Sequence, residues 1–236
     1  VCGEHGNDLL NQYDTTIFNQ VGKCSLGDLD LSEDGQTLFV TNLTTKEIIG
    51  IDTAKQTKVG QWAFPSNQAS CKNAPDDVRP FGLKYHHGLL YVGAVCSGEV
   101  SRTANLATAR DELRAYVFSL NTTSNAWTEV LNYDWSKQRY GIYKTQLDPW
   151  LSSMDQISAS RFAKGTPRNW VTDNSQMLTD IEFVGNDMVL GFRGRLADQW
   201  GVDLPYSRTT PTVVSALNYT TNTVGDIVCV GYDNVT

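Results

Sequence analysis

The chain has 236 residues, 40% hydrophobic and 19% charged, enough to bury a full core and too apolar for disorder. Its formal net charge of −7, with basic residues scattered and only Arg193 and Arg195 close together, argues against a nucleic-acid or anionic-membrane surface, which needs clustered Lys and Arg. No apolar run approaches the roughly 18 residues that span a bilayer, so no membrane insertion is expected in this segment.

Val1 to Val21 is polar, with Ile17-Phe18 its main apolar anchor, and reads as a loop or an edge strand. Any secretory leader is expected to have been removed or to lie outside the chain. From Leu26 the apolar residues recur every second position between turn signals. Leu29 and Leu31 alternate with Asp30 and Ser32, Glu33-Asp34-Gly35 turns, Leu38 to Val40 follows, and Ile49 and Ile51 precede Asp52-Thr53. That pattern predicts short strands joined by tight hairpins, with Lys58 to Phe64 as the outer strand. Pro65 to Val78 is a turn-rich link.

The pattern returns twice. Leu83 and Tyr85 lead through His87-Gly88 into Leu89 to Val95, and Asp180 to Phe183 leads through Gly185-Asn186-Asp187 into Met188 to Phe192. In the second unit an insertion from Ser97 to Asp111 has helical spacing over Thr103 to Leu113, after which Leu113 to Leu120 and Trp127 to Leu131 read as strands. Asp134 to Gln176 is irregular and holds Trp135, Tyr140, Tyr143, Trp150 and Trp170, which suggests a degenerate sheet unit or a loop packing aromatics over one face. A long loop from Arg195 to Thr210 precedes strands at Thr212 to Leu217 and Gly225 to Val230. An antiparallel repeat of roughly 50 residues is the signature of a β-propeller with four-stranded blades. The expected architecture is therefore all-β: a single β-propeller domain over 1–236, with blade-like units at about 26–64, 80–131 and 178–230 and an irregular segment at 134–176. Three units are too few to close a ring, so either some blades are unrecognisable or the chain is part of a larger protein.

Five cysteines leave one without a partner, and their spacing matches no common zinc pattern. Cys71 precedes the second repeat and Cys96 ends its second strand, so Cys71–Cys96 is an expected bridge, with Cys2–Cys24 a second and Cys229 left over or bonded elsewhere. The alternative is buried free thiols in a cytosolic protein. Four Asn-x-Thr sequons lie at Asn42, Asn121, Asn218 and Asn234, the first two where hairpins turn. Cysteines and sequons together favour an extracellular or cell-surface glycoprotein carrying N-linked glycans.

Several short motifs occur in one order: Phe18 to Lys23, Gly27 to Leu38, Asp77 to Lys84, Leu90 to Ser97, Asp148-Pro149-Trp150 and Leu178 to Phe183. Over about Ile17 to Asp198 this series resembles the β-propeller-like module of large secreted bacterial surface proteins, often found beside Sdr-type B repeats. Eukaryotic-style sequons depart from a bacterial source. The resemblance implies a place outside the cell, a scaffold without an assigned reaction, and a module that continues past the end of this chain.

Asp28, Asp30, Asp180 and Glu182 begin two equivalent inner strands. On a propeller these strands line the channel, where carboxylates can bind Ca²⁺ or a catalytic metal; the competing reading is that they accept hydrogen bonds from backbone amides. His86-His87-Gly88 reads as a solvated turn. Arg193, Arg195 and Asp198 follow a strand at a loop position suited to interaction, or form an internal ion pair. Trp135, Trp150, Trp170 and Trp200 could stack sugars on an exposed face or plug a core between blades. The sequence has no Gly-x-Ser-x-Gly elbow, no serine partner for His5 and no glycine-rich phosphate loop. The leading expectation is a non-enzymatic extracellular scaffold for adhesion or assembly. Its partners would be other protein chains, through self-assembly or within a larger surface protein, as in a structural subunit of a filament or appendage. The alternatives are a metal-dependent hydrolase or lactonase using the channel carboxylates, and a carbohydrate-binding module.

Overall fold

A computed structural model describes residues 15–134, 139–140, 145–157, 162–163, 169–200, 204–205, 218–221 and 225–231. After a single helical turn, α1 (Thr15–Phe18), the first sheet runs β1 (Leu26–Leu31), β2 (Thr37–Asn42), β3 (Glu47–Asp52) and β4 (Thr57–Ala63), each strand antiparallel to the next. The second sheet repeats this order with β5 (Val78–His86), β6 (Leu89–Cys96), β7 (Arg114–Asn121) and β8 (Ala126–Asp134). Its insertion holds α2 (Glu99–Arg102) and α3 (Leu106–Asp111), the latter within the expected helical span and capped by Asn105 Oδ1, which accepts the Ala107 and Thr108 amides.

The irregular segment contributes β9 (Arg139–Tyr140) and β10 (Thr145–Gln146), a 3₁₀ turn at Met154–Gln156, β11 (Phe162–Ala163) and β12 (Asn169–Val171). The third sheet joins β13 (Gln176–Val184), β14 (Asp187–Gly194) and β17 (Asp226–Val230). Arg195–Trp200 is a helix, α4, where a loop was expected. Two further strands, β15 (Leu204–Pro205) and β16 (Asn218–Thr221), join β11 and β12 in a fourth sheet, where β12 and β16 run parallel. The described structure is thus mostly antiparallel β-sheet, with one parallel pairing that joins the segment read as irregular to the span read as the third unit. The expected strand at 212–217 lies outside the described residues.

Turn chemistry fixes the hairpins. Asn42, Asp52 and Asn121 end β2, β3 and β7, and each side-chain oxygen accepts two amides at i+2 and i+3: Thr44 and Thr45, Ala54 and Lys55, Thr123 and Ser124. Four positions after each acceptor the chain takes a positive φ, at Lys46 (56°), Gln56 (56°) and Asn125 (58°). One Asx-initiated turn is therefore used three times.

The strand period sorts side chains between two cores. Phe39, Ile48 and Phe64 of the first sheet meet Leu83, Leu90, Val92, Tyr116, Phe118 and Leu120 of the second, with Phe39 stacked on Tyr85 at 5.5 Å between centroids. The other face of the second sheet, through Val95, Ala115 and Val117, meets Ile181, Met188, Leu190 and Phe192 of the third. Both faces of the middle sheet are covered, and β5 packs against both β1 and β13.

Candidate functional site

Two groups of polar residues lie on this frame. The first is the set of inner-strand carboxylates. Alternation along β1 sends Asp28 and Asp30 toward the second sheet and leaves Leu29 and Leu31 exposed. Asp28 Oδ2 accepts the Leu83 amide at 2.9 Å, Asp30 Oδ2 the Tyr85 amide at 2.8 Å, and Glu33 Oε1 the His87 amide at 2.8 Å. Burial raises the Asp28 carboxyl above the usual carboxylate range, against the opposing pull of the Leu83 and Leu29 amides. On the far side of the second sheet, Lys84 Nζ donates to Glu182 Oε1 at 2.9 Å and lies 3.7 Å from Asp30 Oδ2. The hydrogen bond to Glu182 raises the Lys84 ammonium pKa.

The four acidic residues read as a calcium site are therefore not gathered as one ligand set. Asp28 and Asp30 spend an oxygen on the neighbouring strand, and Glu182 spends one on Lys84. Among the described residues no group of three or more His, Cys, Asp or Glu is placed to hold a metal ion. Gly82, at the position of Asp28 and Asp180 in the repeat, serves close packing: a Cβ there would sit 3.0 Å from the Asp180 nitrogen and 3.1 Å from the Leu178 carbonyl oxygen.

The second group, not anticipated from the sequence, sits at the end where β5 and β13 begin. Glu99 accepts Lys23 at 2.5 Å and Arg79 at 3.3 Å. Arg102 pairs with Asp173 at 3.1 Å, and Arg110 with Asp148 at 2.5 Å, both carboxylates fully buried. Ser97 Oγ donates to Asp77 Oδ1 at 2.9 Å, and the Val100 amide does so at 3.1 Å. At the centre Arg195 is fully buried. It donates to the Val21, Leu151 and Asn19 carbonyls at 2.9, 2.6 and 3.2 Å and lies 4.4 Å from the Trp150 ring centroid. Burial lowers Lys23 to about 8 and Arg195 to about 9, outweighing Glu99 in both cases.

This arrangement ties loops together. Its cations hold carboxylates or carbonyls, and among the described residues no histidine links Ser97 and Asp77 into a hydrolytic relay. Arg195 is accordingly a core residue, contrary to its reading as part of an interaction loop. Arg193 pairs with Asp198 at the surface, not internally. The available signal was Asp148-Pro149-Trp150, whose flanks mix acids with large apolar residues.

Of the remaining candidates, His86 ends β5 and stacks on Phe183 at 4.0 Å, and burial lowers its pKa; only His87 and Gly88 form the turn, with φ of 49° and 80°. Trp150 is 2% exposed and fills a core. Trp170 is half-buried, while Trp135 and the Trp200 side chain lie outside the described residues. Cys71 and Cys96 form a disulfide, both buried. Cys24 is also disulfide-bonded; Cys2, its expected partner, lies outside the described residues, as do His5 and Asn234. Cys229 is an exposed free thiol. Asn42 and Asn121 sit in the hairpin turns described above, and Asn218 begins β16.

No family model matches the chain. It is similar to three proteins of Dictyostelium discoideum: Colossin-A (24% identity, covering 82% of this chain), Colossin-B (26%, 78%) and Colossin-D (32%, 40%). These alignments span only 2%, 5% and 10% of those much longer proteins. Among solved structures, an oligogalacturonate lyase in complex with manganese aligns at a TM-score of 0.34 and 11% identity, covering 71% of this chain and 46% of that one.

Proposed function

We propose that the chain is part of an extracellular β-propeller glycoprotein without catalytic activity, serving as a scaffold for adhesion or assembly, such as a structural subunit of a surface filament. The observation that carries this reading is the use of the inner-strand carboxylates. Asp28 and Asp30 lie where a propeller hydrolase would gather metal ligands, yet they bond to the next inner strand and hold successive sheets side by side.

Three further observations support it. The buried Cys71–Cys96 bridge fits an oxidising compartment. The Asn42 and Asn121 turns carry sequons at accessible hairpin ends. Among the described residues no helix is long and apolar enough to cross a membrane. The test is negative-stain electron microscopy of the purified protein beside an assay on lactones and glycans with and without added divalent cations. Defined assemblies without turnover are expected. Turnover abolished by Asp180→Ala would replace this reading with the metal-dependent hydrolase.

A further inference from the structure

Among the described residues, the first three sheets stack and present two different open faces, and each matches one side of a seam already formed inside the chain. The seam between the first and second sheets supplies the pattern. On one side stand Asp28 and Asp30, Phe39 opposite Asp30, and Ile48, which pairs with Thr41 next along the strand. Ile48 is 0% exposed there. On the other side stand Leu83 and Tyr85, whose amides meet the two carboxylates.

The outward face of the third sheet repeats the first side position by position. Asp180 and Glu182 stand where Asp28 and Asp30 do, Val189 pairs with Glu182 as Phe39 pairs with Asp30, and Ile227 pairs with Gly191 as Ile48 pairs with Thr41. Ile227 is nonetheless 71% exposed. The outward face of the first sheet repeats the other side. Leu29 and Leu31, 57% and 48% exposed, occupy the places of Leu83 and Tyr85, and the partly exposed Leu38, Ile49 and Ile51 continue the apolar surface across β2 and β3. Ser32 donates its amide to Thr37, so by alternation the Leu29 and Leu31 amides point away from β2, as those of Leu83 and Tyr85 point away from β6. The Leu29 amide now touches its neighbour Asp28 Oδ1 at 2.9 Å.

We propose that a second copy of this chain covers these faces. Asp180 and Glu182 of one copy accept the Leu29 and Leu31 amides of the other, while Ile227 and Val189 cover the Leu29, Leu31 and Leu38 surface. The proposal rests on the propeller reading above and names its partner. The complementarity is that of the internal seam, carboxylates against an amide edge with apolar residues behind, and both halves are present on one chain. Because the two faces differ, the contact is head to tail and must close into a ring or extend.

The test is the mass of the full chain in solution, by sedimentation velocity with circular dichroism as the check on folding. Wild type is expected at twice the monomer mass or a higher multiple of it. Ile227→Asp and Leu31→Asp, both at exposed positions, should each give folded monomers, and mixing these two variants should restore a dimer through the single intact seam. The milder pair Asp180→Asn with Glu182→Gln should weaken the dimer without touching the apolar surface. A wild-type monomer at all concentrations overturns the proposal, as does a dimer insensitive to either face or broken by only one of the two apolar substitutions. Assemblies that survive both substitutions would leave the scaffold reading standing and remove only this interface; Asp180-dependent turnover would instead remove the scaffold reading.

Discussion

Asp30 reaches across the seam between the first two sheets and accepts the main-chain amide of Tyr85 at 2.8 Å, two residues beyond the bond from Asp28 to Leu83. The strand period of two makes both bonds possible from one face of β1. Replacing Asp30 with alanine leaves the Tyr85 amide without its acceptor, and an unsatisfied amide of this kind costs about 1–3 kcal/mol. Asp30→Ala should therefore lower the urea midpoint clearly, while Asp30→Asn, which keeps an acceptor oxygen, should lower it less. Equal losses would show that the charge, not the hydrogen bond, holds the seam.

Asp28 gives the seam a pH dependence. Burial raises its folded carboxyl above the unfolded value, so the folded state holds the proton more tightly. Its contribution is fully present below the ordinary carboxylate range and is lost as pH rises through the raised value. Wild type compared with Asp28→Asn should lose relative stability between acid pH and neutrality. A difference independent of pH in thermal melts would exclude this linkage.

Much of the sheet frame was legible because alternation and turn chemistry are local. Leu29 and Leu31 against Asp28 and Asp30, and the spacing of Asn42, Asp52 and Asn121 from the hairpin turns, are written into contiguous residues. The buried ionic cluster was not legible, because its partners come from distant loops: Arg195 is 174 positions from Val21 and 44 from Leu151. An arginine directly after β14, two residues from the exposed Arg193, reads as a surface group until the chain buries it. The inner carboxylates were placed on the right strands, but which atoms they meet depends on how the sheets stack. Gly82 stands where the other two units carry an acid and is a close contact.

Arg195 should be irreplaceable by lysine. Its guanidinium serves three carbonyls and lies over Trp150, which a single ammonium cannot do in one geometry. Hydrogen bonds to a buried charged donor contribute about 1.5–3 kcal/mol each, so Arg195→Met should cost more than about 3 kcal/mol and Arg195→Lys a large part of that. Melting temperatures of the two variants check this; a lysine variant as stable as wild type would contradict the role assigned to the fork.

Lys23 should show the opposite pH behaviour to Asp28. Burial depresses its folded pKa from 10.5 to about 8, so the folded state releases the proton first. In that window the unfolded chain binds more protons, and stability contributed by this group rises with pH from about 8 toward 10.5. Lys23→Gln should flatten the rise relative to wild type in melts at constant ionic strength. A wild type that loses stability relative to the variant across this range would show that the pairing with Glu99, not burial, dominates.

Restoring the acid of the other two repeats at position 82 should weaken the fold. The backbone of β13 passes so near that a Cβ at Gly82 would lie 3.0 Å from the Asp180 nitrogen and 3.2 Å from the Thr179 carbonyl carbon, and backbone cannot move aside as a side chain can. Gly82→Ala should cost on the order of 1–3 kcal/mol, as overpacking typically does. Gly82→Asp should cost more, because it also brings a third carboxylate between Asp28 and Asp180, which already act on each other. Denaturant unfolding of both variants tests the order. If Gly82→Asp were as stable as wild type, the close approach of β5 and β13 would not set the spacing of the second and third sheets.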